Sequence, residues 1–486
     1  MLTEEQLAKY DITIGIECHV QLATITKLFS GADNDARDKA PNSVVSPIDF
    51  GLPGMLPVLN RKAVNLAIKA GKALNSEIAR VSRFDRKHYF YPDLPKGYQT
   101  TQMYNPIILA GYVDAPLEDG TSVKVRIHHA HMEEDAGKLT HFGDYSLVDL
   151  NRAGTPLIEI VSEPDIHSPA EAKAYATELY RLMTYAGVTH GDLYHGNMRF
   201  DVNVSIAPKG ATELGIRAEV KNLNSFKSVE RAAEYEFRRQ VELLEKGERV
   251  VQETRGWDET KQRTSSQRSK EDAQDYRYMP DADIPPIVLT DQEIEEIQST
   301  VPNLPSFYRE AWKELDFDST VVNALLLSSE TAQFVQGVLE STNKSIARRV
   351  ALWLLMTIDE ELDGDNSTQK NKISISQEQF IALATMVEAN ELSSTAAKDV
   401  LAEMLKNSND PRKIAEAKNL IQVSDEGAIA SIVDEVLADS GSAKAVEDLK
   451  KGNDKVIGFL VGQVMKKSAG KANPELAQKL IRERIK

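Results

Sequence analysis

The sequence predicts an α+β protein in which a large, mostly antiparallel sheet domain is followed by helical regions. Many short segments with alternating apolar and polar residues lie within the first 290 residues, together with most of the glycine and proline. Later segments lack this alternation and repeat their apolar residues at helical spacing. We therefore expect a sheet domain over residues 1–293, a helical domain over 294–405 and a small helical tail domain over 406–486.

Four segments carry the alternation of a strand with one buried face. In IGIECHVQL (14–22), apolar residues alternate with polar ones, so that Glu17 and His19 point to the same face. Cys18 falls on the apolar face, which favours a buried packing role over a nucleophile. The same alternation predicts strands in the segments SVKVRIHHAHM (122–132), RFDVNVSI (199–206) and IRAEVKN (216–222).

Helices are predicted between and after these strands. Ser168-Pro169-Ala170-Glu171 has the pattern of a capping box with proline at the first helical position, and Gly187 ends the apolar repeat that follows. A second helix is predicted over about 228–246. In the tail, Ile429, Ile432, Val433, Val436 and Leu437 form one apolar face of a helix. The segment DYRYMPDADIPP (275–286) is predicted to be extended and to close the sheet domain.

Composition limits the cellular setting and the partners. A single cysteine fits a reducing cytoplasm, and we expect neither a membrane span nor a signal peptide. The net charge of −16 argues against indiscriminate binding of nucleic acid. From Lys451 to the end, however, nine Lys or Arg stand against three Asp or Glu. This basic end is either a solvated helix surface or a contact to nucleic acid.

The polar faces of the predicted strands could form a site if they lie side by side. Glu17, Asp201 and Glu219 would then meet, with basic residues interleaved. Close carboxylates repel one another unless a cation lies between them, and Mg²⁺ prefers oxygen ligands. The alternative is a solvated sheet face with cross-strand ion pairs. The acidic run in HMEEDAGK (131–138) could add a ligand or form a solvated turn.

Two further stretches leave several interpretations open. SRFDRKHYFYPDLPKGYQ (82–99) interleaves basic and aromatic residues, which could bind single-stranded nucleic acid, line a wet passage or fill the core. His128, His129 and His131 lack the spacing of known zinc motifs. The chain also has no Walker A loop and no GxGxxG sequence before a helix, so that any ATP would require another kind of site.

Several long strings are similar to those of one family. They resemble, in order, the B subunit of the tRNA-dependent amidotransferase, whose family includes the archaeal E-type subunit. The strings are IGIECHVQL, FDRKHYFYPDLPKGYQ, HMEEDAGK, SLVDLNRAGTPLIEIVSEPD, EVKNLNSF, DYRYMPDADIPP and, in the tail, GFLVGQVMKKSAGKANPEL. The resemblance implies a glutamine-synthetase-like cradle domain, an all-helical domain and a YqeY-like tail domain.

The resemblance also implies a reaction and its cofactors. Glu on tRNA(Gln) or Asp on tRNA(Asn) would be activated by ATP and Mg²⁺ as an acyl phosphate, which ammonia then converts to the amide. Ammonia would come from a glutaminase A subunit, with a small C subunit completing a heterotrimer. The alternative is a catalytically inactive scaffold subunit that binds tRNA, and a third possibility is a metal-dependent phosphohydrolase that acts alone. No structural zinc is expected, because the segment after the first strand lacks the paired cysteines of many relatives.

Site residues carried over from the family fall into four sets. The implied metal ligands are Glu17, His19, Glu134, Asp201 and Glu219. The implied phosphate or nucleotide contacts are Arg152, Arg199, Asn203 and Lys221, and for Arg152 a loop-stabilising ion pair is the alternative. The implied ammonia channel contains Lys87 and Lys96, and the implied tRNA contacts of the tail are Lys466, Lys467 and Lys471. Tyr194 and His195 replace glutamates of the commoner pattern and are not counted as ligands.

Overall fold

A computed structural model describes residues 2–269, 275–357, 375–422, 426–468 and 472–485. These residues form two compact units. The first contains residues up to Ala311 together with Asp318–Ser329, and the second contains Trp312–Phe317 and the described residues from Glu330 onward. The predicted boundaries after residues 293 and 405 remain a prediction.

The first unit contains the strands. In chain order they are β1 (Tyr10–Gln21), β2 (Val81–Ser82), β3 (Asp85–His88), β4 (Tyr98–Thr101), β5 (Gly111–Pro116), β6 (Ser122–Glu134), β7 (Lys138–Phe142), β8 (Tyr145–Asp149), β9 (Pro156–Ser162), β10 (Met198–Pro208), β11 (Ala218–Leu223), β12 (Glu253–Asp258), β13 (Arg263–Ser269), β14 (Met279–Pro280) and β15 (Ile287–Val288). All four predicted strands are present, as parts of β1, β6, β10 and β11.

Helices occur in both units and make up the regular structure described after residue 290. They are α1 (Glu4–Leu7), α2 (Arg61–Ala73), α3 (Pro169–Tyr185), α4 (Phe226–Glu245), α5 (Asp291–Gln298), α6 (Pro305–Ala311), α7 (Ser319–Leu325), α8 (Ser329–Ser341), α9 (Lys344–Thr357), α10 (Gln377–Glu388), α11 (Ser394–Asn407), α12 (Pro411–Ala417), α13 (Glu426–Ala438), α14 (Ala443–Lys450), α15 (Ile457–Lys467) and α16 (Pro474–Ile485). Short 3₁₀ turns lie at Trp312–Leu315, Ser440–Ser442 and Asp454–Val456. Within the described residues, none of these helices is both long and apolar enough to cross a membrane.

One eight-stranded sheet dominates the first unit, in the order β13-β12-β11-β10-β1-β9-β6-β5. Its neighbouring strands are antiparallel except for the parallel pair β11 and β12. Smaller sheets join β14, β3 and β4, join β15 to β2, and pair β7 with β8. The predicted α+β class, with a large antiparallel-rich sheet and a helical C-terminal region, is therefore confirmed.

The two long helices α3 and α4 cover one face of this sheet. Ile16 and Cys18 of β1 are buried in the same core as Phe200 of β10 and Tyr175 of α3, which confirms the predicted burial of Cys18. Because side chains alternate along a strand, the opposite face carries the polar residues of the same strands. The burial of one face thus fixes which residues line the other.

Local signals explain where α3 begins and ends. Ser168 Oγ accepts a hydrogen bond from the Glu171 backbone N–H at 3.1 Å, and Pro169 occupies the first turn. The Glu171 carboxylate, however, accepts from the backbone N–H of His167 and not from Ser168, so the expected reciprocal bond of the capping box is shifted by one residue. The chain leaves the helix through Gly187, whose φ of +67° favours glycine.

The last helices form a separate small core in the second unit. Ile429, Val433 and Val436 of α13 are buried in it, and Ile432 and Leu437 pack against it. The remaining buried members lie on α14, α15 and α16 and next to them. The predicted apolar face of α13 is confirmed.

Candidate metal centre

The face of the sheet opposite α3 and α4 brings three carboxylates together. In the register of the strands, Glu17 of β1 lies opposite Asp201 of β10, and Asn203 of β10 lies opposite Glu219 of β11. One carboxylate oxygen of each acidic residue lies within 4.8 Å of those of the other two. We call Glu17, Asp201 and Glu219 the first group. All three were predicted as ligands, and the sheet brings them to one place.

Polar neighbours hold the carboxylates of the first group in position. Lys221 Nζ lies 2.6 Å from Asp201 Oδ2 and 3.1 Å from Glu219 Oε1. Asn203 Nδ2 donates to Glu17 Oε1 at 3.1 Å. Burial and then the charges of Glu159, Glu219 and Asp201 raise the pKa of Glu17 above its usual value. The negative charge is thus only partly balanced by Lys221.

A second group of possible ligands lies next to the first. Among the described residues, His19, Glu133 and Glu159 also offer ligand atoms within 4.8 Å of one another. Glu159 of β9 lies opposite His19 of β1 on one side and opposite His131 of β6 on the other. His19 Nε2 is 3.5 Å from Glu133 Oε1 and 3.7 Å from Glu159 Oε2. We call His19, Glu133 and Glu159 the second group.

Two members of the second group were missed from the sequence. Glu133 is the middle of three consecutive acids, and its position two residues after His131 places it on the same strand face. Glu159 interrupts the apolar strand PLIEIVS, and this single acid was the available signal. Its pairing with His19 depends on which strands are neighbours, and strand order was not part of the prediction.

Glu134, predicted as a ligand, lies outside both groups of described residues. Its Oε1 pairs with Lys96 Nζ and accepts a hydrogen bond from the backbone N–H of Thr100 at 3.0 Å. Consecutive residues of a strand point to opposite faces, so Glu133 and Glu134 cannot both reach the same group. The structure therefore places Glu134 with the predicted channel residue Lys96.

The two predicted phosphate-binding arginines meet at Asp135. Arg199 Nη2 lies 2.9 Å and Arg152 Nε 3.3 Å from Asp135 Oδ2. Arg152 also donates to the backbone carbonyls of Ala136 and Gly137, at 3.0 and 2.8 Å. These contacts favour the loop-stabilising alternative for Arg152, because they tie its guanidinium to the turn after β6. Arg199 is near the second group, since it lies opposite His19 in the sheet.

Lys87 lies against an aromatic wall beside the second group. Its Nζ is 4.9 Å from the ring centre of Tyr276 and 6.0 Å from that of Tyr89. Burial opposes the charged form of Lys87, but Tyr278, Glu133 and Glu159 outweigh it and raise its pKa. The positive charge of Lys87 in turn helps to hold the pKa of Glu159 below its usual range. Burial acts against this, and the hydrogen bond from His131 and the charges of His19 and Lys87 prevail.

The donor sets fit divalent cations. Three carboxylates that converge within 4.8 Å match the all-oxygen preference of Mg²⁺, and burial together with the neighbouring carboxylates raises the pKa of Glu17. The second group adds one imidazole to two carboxylates, a set that also suits softer ions such as Mn²⁺. Bound there, a cation would supply charge neutralisation to a phosphorylated substrate.

Comparison with known proteins identifies the family of the chain. A family model described as "GatB/GatE catalytic domain" matches residues 12–295, which include both groups, and one described as "GatB domain" matches residues 333–485. The chain belongs to the GatB/GatE family. The curated relatives it matches include proteins from Carboxydothermus hydrogenoformans, 43% identical with 99% of each chain covered, and from Persephonella marina, 45% identical with 98% of this chain and 100% of the relative covered. Each is named as the B subunit of an aspartyl/glutamyl-tRNA(Asn/Gln) amidotransferase.

The second matched region contains the lysines predicted to contact tRNA. Lys466 and Lys467 are exposed at the end of α15, and Lys467 Nζ lies 2.7 Å from Glu435 Oε2. Lys471 lies outside the described residues. Tyr194 and His195, which were not counted as ligands, lie in the loop before β10. His195 Nδ1 is 2.7 Å from Asp192 Oδ2, so this histidine is engaged within its own loop.

Proposed function

We propose that the chain is the B subunit of a glutamine-hydrolysing, ATP-dependent tRNA amidotransferase. Its substrates would be Glu-tRNA(Gln), Asp-tRNA(Asn) or both, and its products the correctly amidated tRNAs. Membership of the GatB/GatE family and the names of the full-length relatives support this class of reaction. The first group, with Lys221 beside it, is the observation that carries the proposal to this chain's own residues.

The chemistry requires a leaving group that a carboxylate lacks. The side-chain carboxylate oxygen of the misacylated residue would attack the γ-phosphorus of ATP, and ADP would leave. Ammonia would then attack the acyl carbon, and the carbon–oxygen bond to phosphate would break as the nitrogen gives up a proton to phosphate. Phosphoryl transfer depends mainly on positioning and neutralisation of charge. Glu17, Asp201 and Glu219 would hold Mg²⁺ for this step, and Lys221 and Arg199 would be the nearest cations to the phosphates.

Ammonia must reach this site from another chain. The sequence carries no arrangement that resembles a glutaminase, so we propose a separate A subunit as its source and a small C subunit that completes the heterotrimer. Lys96 and Glu134 form a buried ion pair, and Lys87 lies between tyrosine rings and the second group. These polar, partly enclosed side chains would suit a route for a small hydrogen-bonding solute.

The reaction belongs to protein synthesis, and we place it in the cytoplasm.

The test of this function separates catalysis from tRNA binding. The complex assembled with its partner subunits is given ATP, glutamine and each misacylated tRNA, and both ADP and amidated tRNA are measured. Asp201→Asn should abolish both products while leaving tRNA affinity unchanged, whereas the exposed Glu248→Gln should behave as wild type. Unchanged turnover in Asp201→Asn would instead favour the inactive scaffold, and activity of the isolated chain would favour a phosphohydrolase.

The proposed role of the tail has its own test. Removing residues 406–486 should weaken tRNA binding, and the loss should shrink as salt rises, because phosphate contacts dominate such binding. The separate buried core around α13, α15 and α16 supports the expectation that the sheet domain folds without the tail. Equal tRNA affinity and an equal salt dependence in the truncated chain would show that the basic end is only a solvated surface.

A further inference from the structure

His131 lies directly behind the second group. In the sheet it is the cross-strand partner of Glu159, and Glu159 in turn is the partner of His19. A row across β6, β9 and β1 therefore reads His131, Glu159, His19, with the carboxylate between two imidazoles. Nothing in the sequence pattern alone selects His131 from the neighbouring histidines, because the order of the three strands is needed to see this row.

The contacts of His131 reach both carboxylates of the second group. Its Nε2 lies 3.3 Å from Glu159 Oε2 and 3.8 Å from Glu133 Oε2. Both acids also contact His19, whose Nε2 lies 3.7 Å from Glu159 and 3.5 Å from Glu133. His131 is almost fully buried, with 8% of its surface exposed. One buried ring thus contacts both acids: it approaches Glu159 at Oε2, the oxygen that also approaches His19, and Glu133 at Oε2, whereas His19 approaches Glu133 at Oε1.

The orientation of the His131 ring is fixed from its other edge. Its Nδ1 lies 3.2 Å from His129 Nε2, and the two rings stack with their centres 5.2 Å apart. His129 Nδ1 is in turn 2.7 Å from Nδ1 of the exposed His128. A ring held in this way can donate from Nε2 in only one direction, toward the two carboxylates. Partners of this kind orient the residues that bind a metal ion.

We propose that His131 is a positioning residue of the second group: it holds the Glu133 and Glu159 carboxylates in the orientation in which, together with His19, they bind a divalent cation. This inference rests on the proposed function only for what the bound cation does; the binding itself is tested separately. Two carboxylates so close together repel each other and would otherwise turn apart. The Nε2 edge of His131 lies beside both carboxylates and offsets this repulsion, while Glu133 Oε1 and Glu159 Oε2 stay within reach of His19.

The experiment measures cation binding by the full-length chain, without ATP or tRNA. Mn²⁺ is the probe, followed by electron paramagnetic resonance, in an Asp201→Asn, Glu219→Gln background that removes two ligands of the first group. His131→Leu should weaken Mn²⁺ binding about 10- to 100-fold, as loss of such outer contacts does at metal sites. His131→Gln, whose side-chain amide still donates, should restore affinity to within about threefold of the background chain.

Two comparisons make the result decisive. His128→Ala, in the exposed histidine of the same strand, should leave Mn²⁺ affinity unchanged. If His131→Leu fails to fold, His131→Asn replaces it, since its shorter amide cannot span to both carboxylates and should bind as weakly. Binding by either variant within threefold of the background chain, or a Gln variant as weak as Leu, would overturn the positioning role. Because Mn²⁺ binding is measured without turnover, a negative amidation assay would not affect the conclusion about His131. Failure of the His131 variants to behave as expected would likewise not affect the proposed amidation.

Discussion

Replacing Asp201 by Asn should change the stability of the chain little in the absence of Mg²⁺ and lower it clearly in the presence of Mg²⁺. Asp201 is repelled by Glu17 and Glu219, whose oxygens lie within 4.8 Å, and attracted by Lys221 at 2.6 Å. With an effective dielectric constant of about 20, each repulsion is about 3.5 kcal/mol and the attraction about 6 kcal/mol. The two repulsions together match the attraction, so that Asp201→Asn should change the free energy of unfolding in the absence of Mg²⁺ by only about 1 kcal/mol.

With Mg²⁺ present the same substitution should be costly. A cation that binds only the folded chain stabilises it by about 2.7 kcal/mol at a concentration 100-fold above its Kd. For a unit of this size that corresponds to a rise in Tm of about 5 °C. Because Mg²⁺ prefers oxygen ligands, the first group should account for most of this rise. Asp201→Asn removes one of its three carboxylates and should abolish most of the increase.

The assay is thermal unfolding of the full-length chain at increasing MgCl₂, with ionic strength held constant by KCl. The matched control is Asp144→Asn, which removes an exposed carboxylate from the turn between β7 and β8. The control should show the wild-type rise in Tm, and the Asp201 variant should not. A wild-type chain whose Tm ignores Mg²⁺, or an Asp201 variant that keeps the full rise, would refute the idea that crowded carboxylates form a cation site.

Three further predictions concern neighbouring residues. In the Asp201→Asn, Glu219→Gln background, Glu133→Gln should weaken Mn²⁺ binding at least tenfold and Glu134→Gln should not, as followed by electron paramagnetic resonance; similar losses in both would contradict the separation of the two side chains. Lys96→Met should lower glutamine-dependent amidation by the assembled complex more than amidation driven by added ammonium, because we propose that Lys96 lies on the supply route of ammonia and not at the reacting centre; equal losses would contradict that placement. Glu178→Gln should destabilise the chain by about 3–5 kcal/mol, measured by urea unfolding, because it leaves Arg181 and Arg309 without their shared carboxylate; a loss below about 1 kcal/mol would show that the arginines find other partners.

The sequence predicted the faces of the strands well, because alternation is a local property. Ile16 and Cys18 are buried as expected, and Glu17 and His19 share the opposite face. The same reasoning brought Asp201 and Glu219 into the first group, since both lie on strands with a clear period of two. The signal for the start of α3 at Ser168 is also local, and it predicted the helix start, although the carboxylate of Glu171 accepts from a residue one position earlier than expected.

The second group could not be derived in the same way, because it depends on strand order. Glu159 becomes a neighbour of His19 only because β9 inserts between β1 and β6. Within the run of three acids, the family resemblance led to Glu134, whereas the structure brings Glu133 to His19. A shift of one residue reverses the face of a strand, so an error of one position moves a carboxylate to the other side of the sheet.

The adjacency of Glu133 and Glu134 gives the sheet a physical link between two tasks. One carboxylate belongs to the second group, where a cation would neutralise phosphate, and the next pairs with Lys96 on the predicted route of ammonia. The backbone between them is held by β9 in the register that also places Glu159. The register that places Glu133 beside His19 therefore also places Glu134 beside Lys96. A shift of one residue in β6 would reverse both side chains and would disrupt both contacts at once.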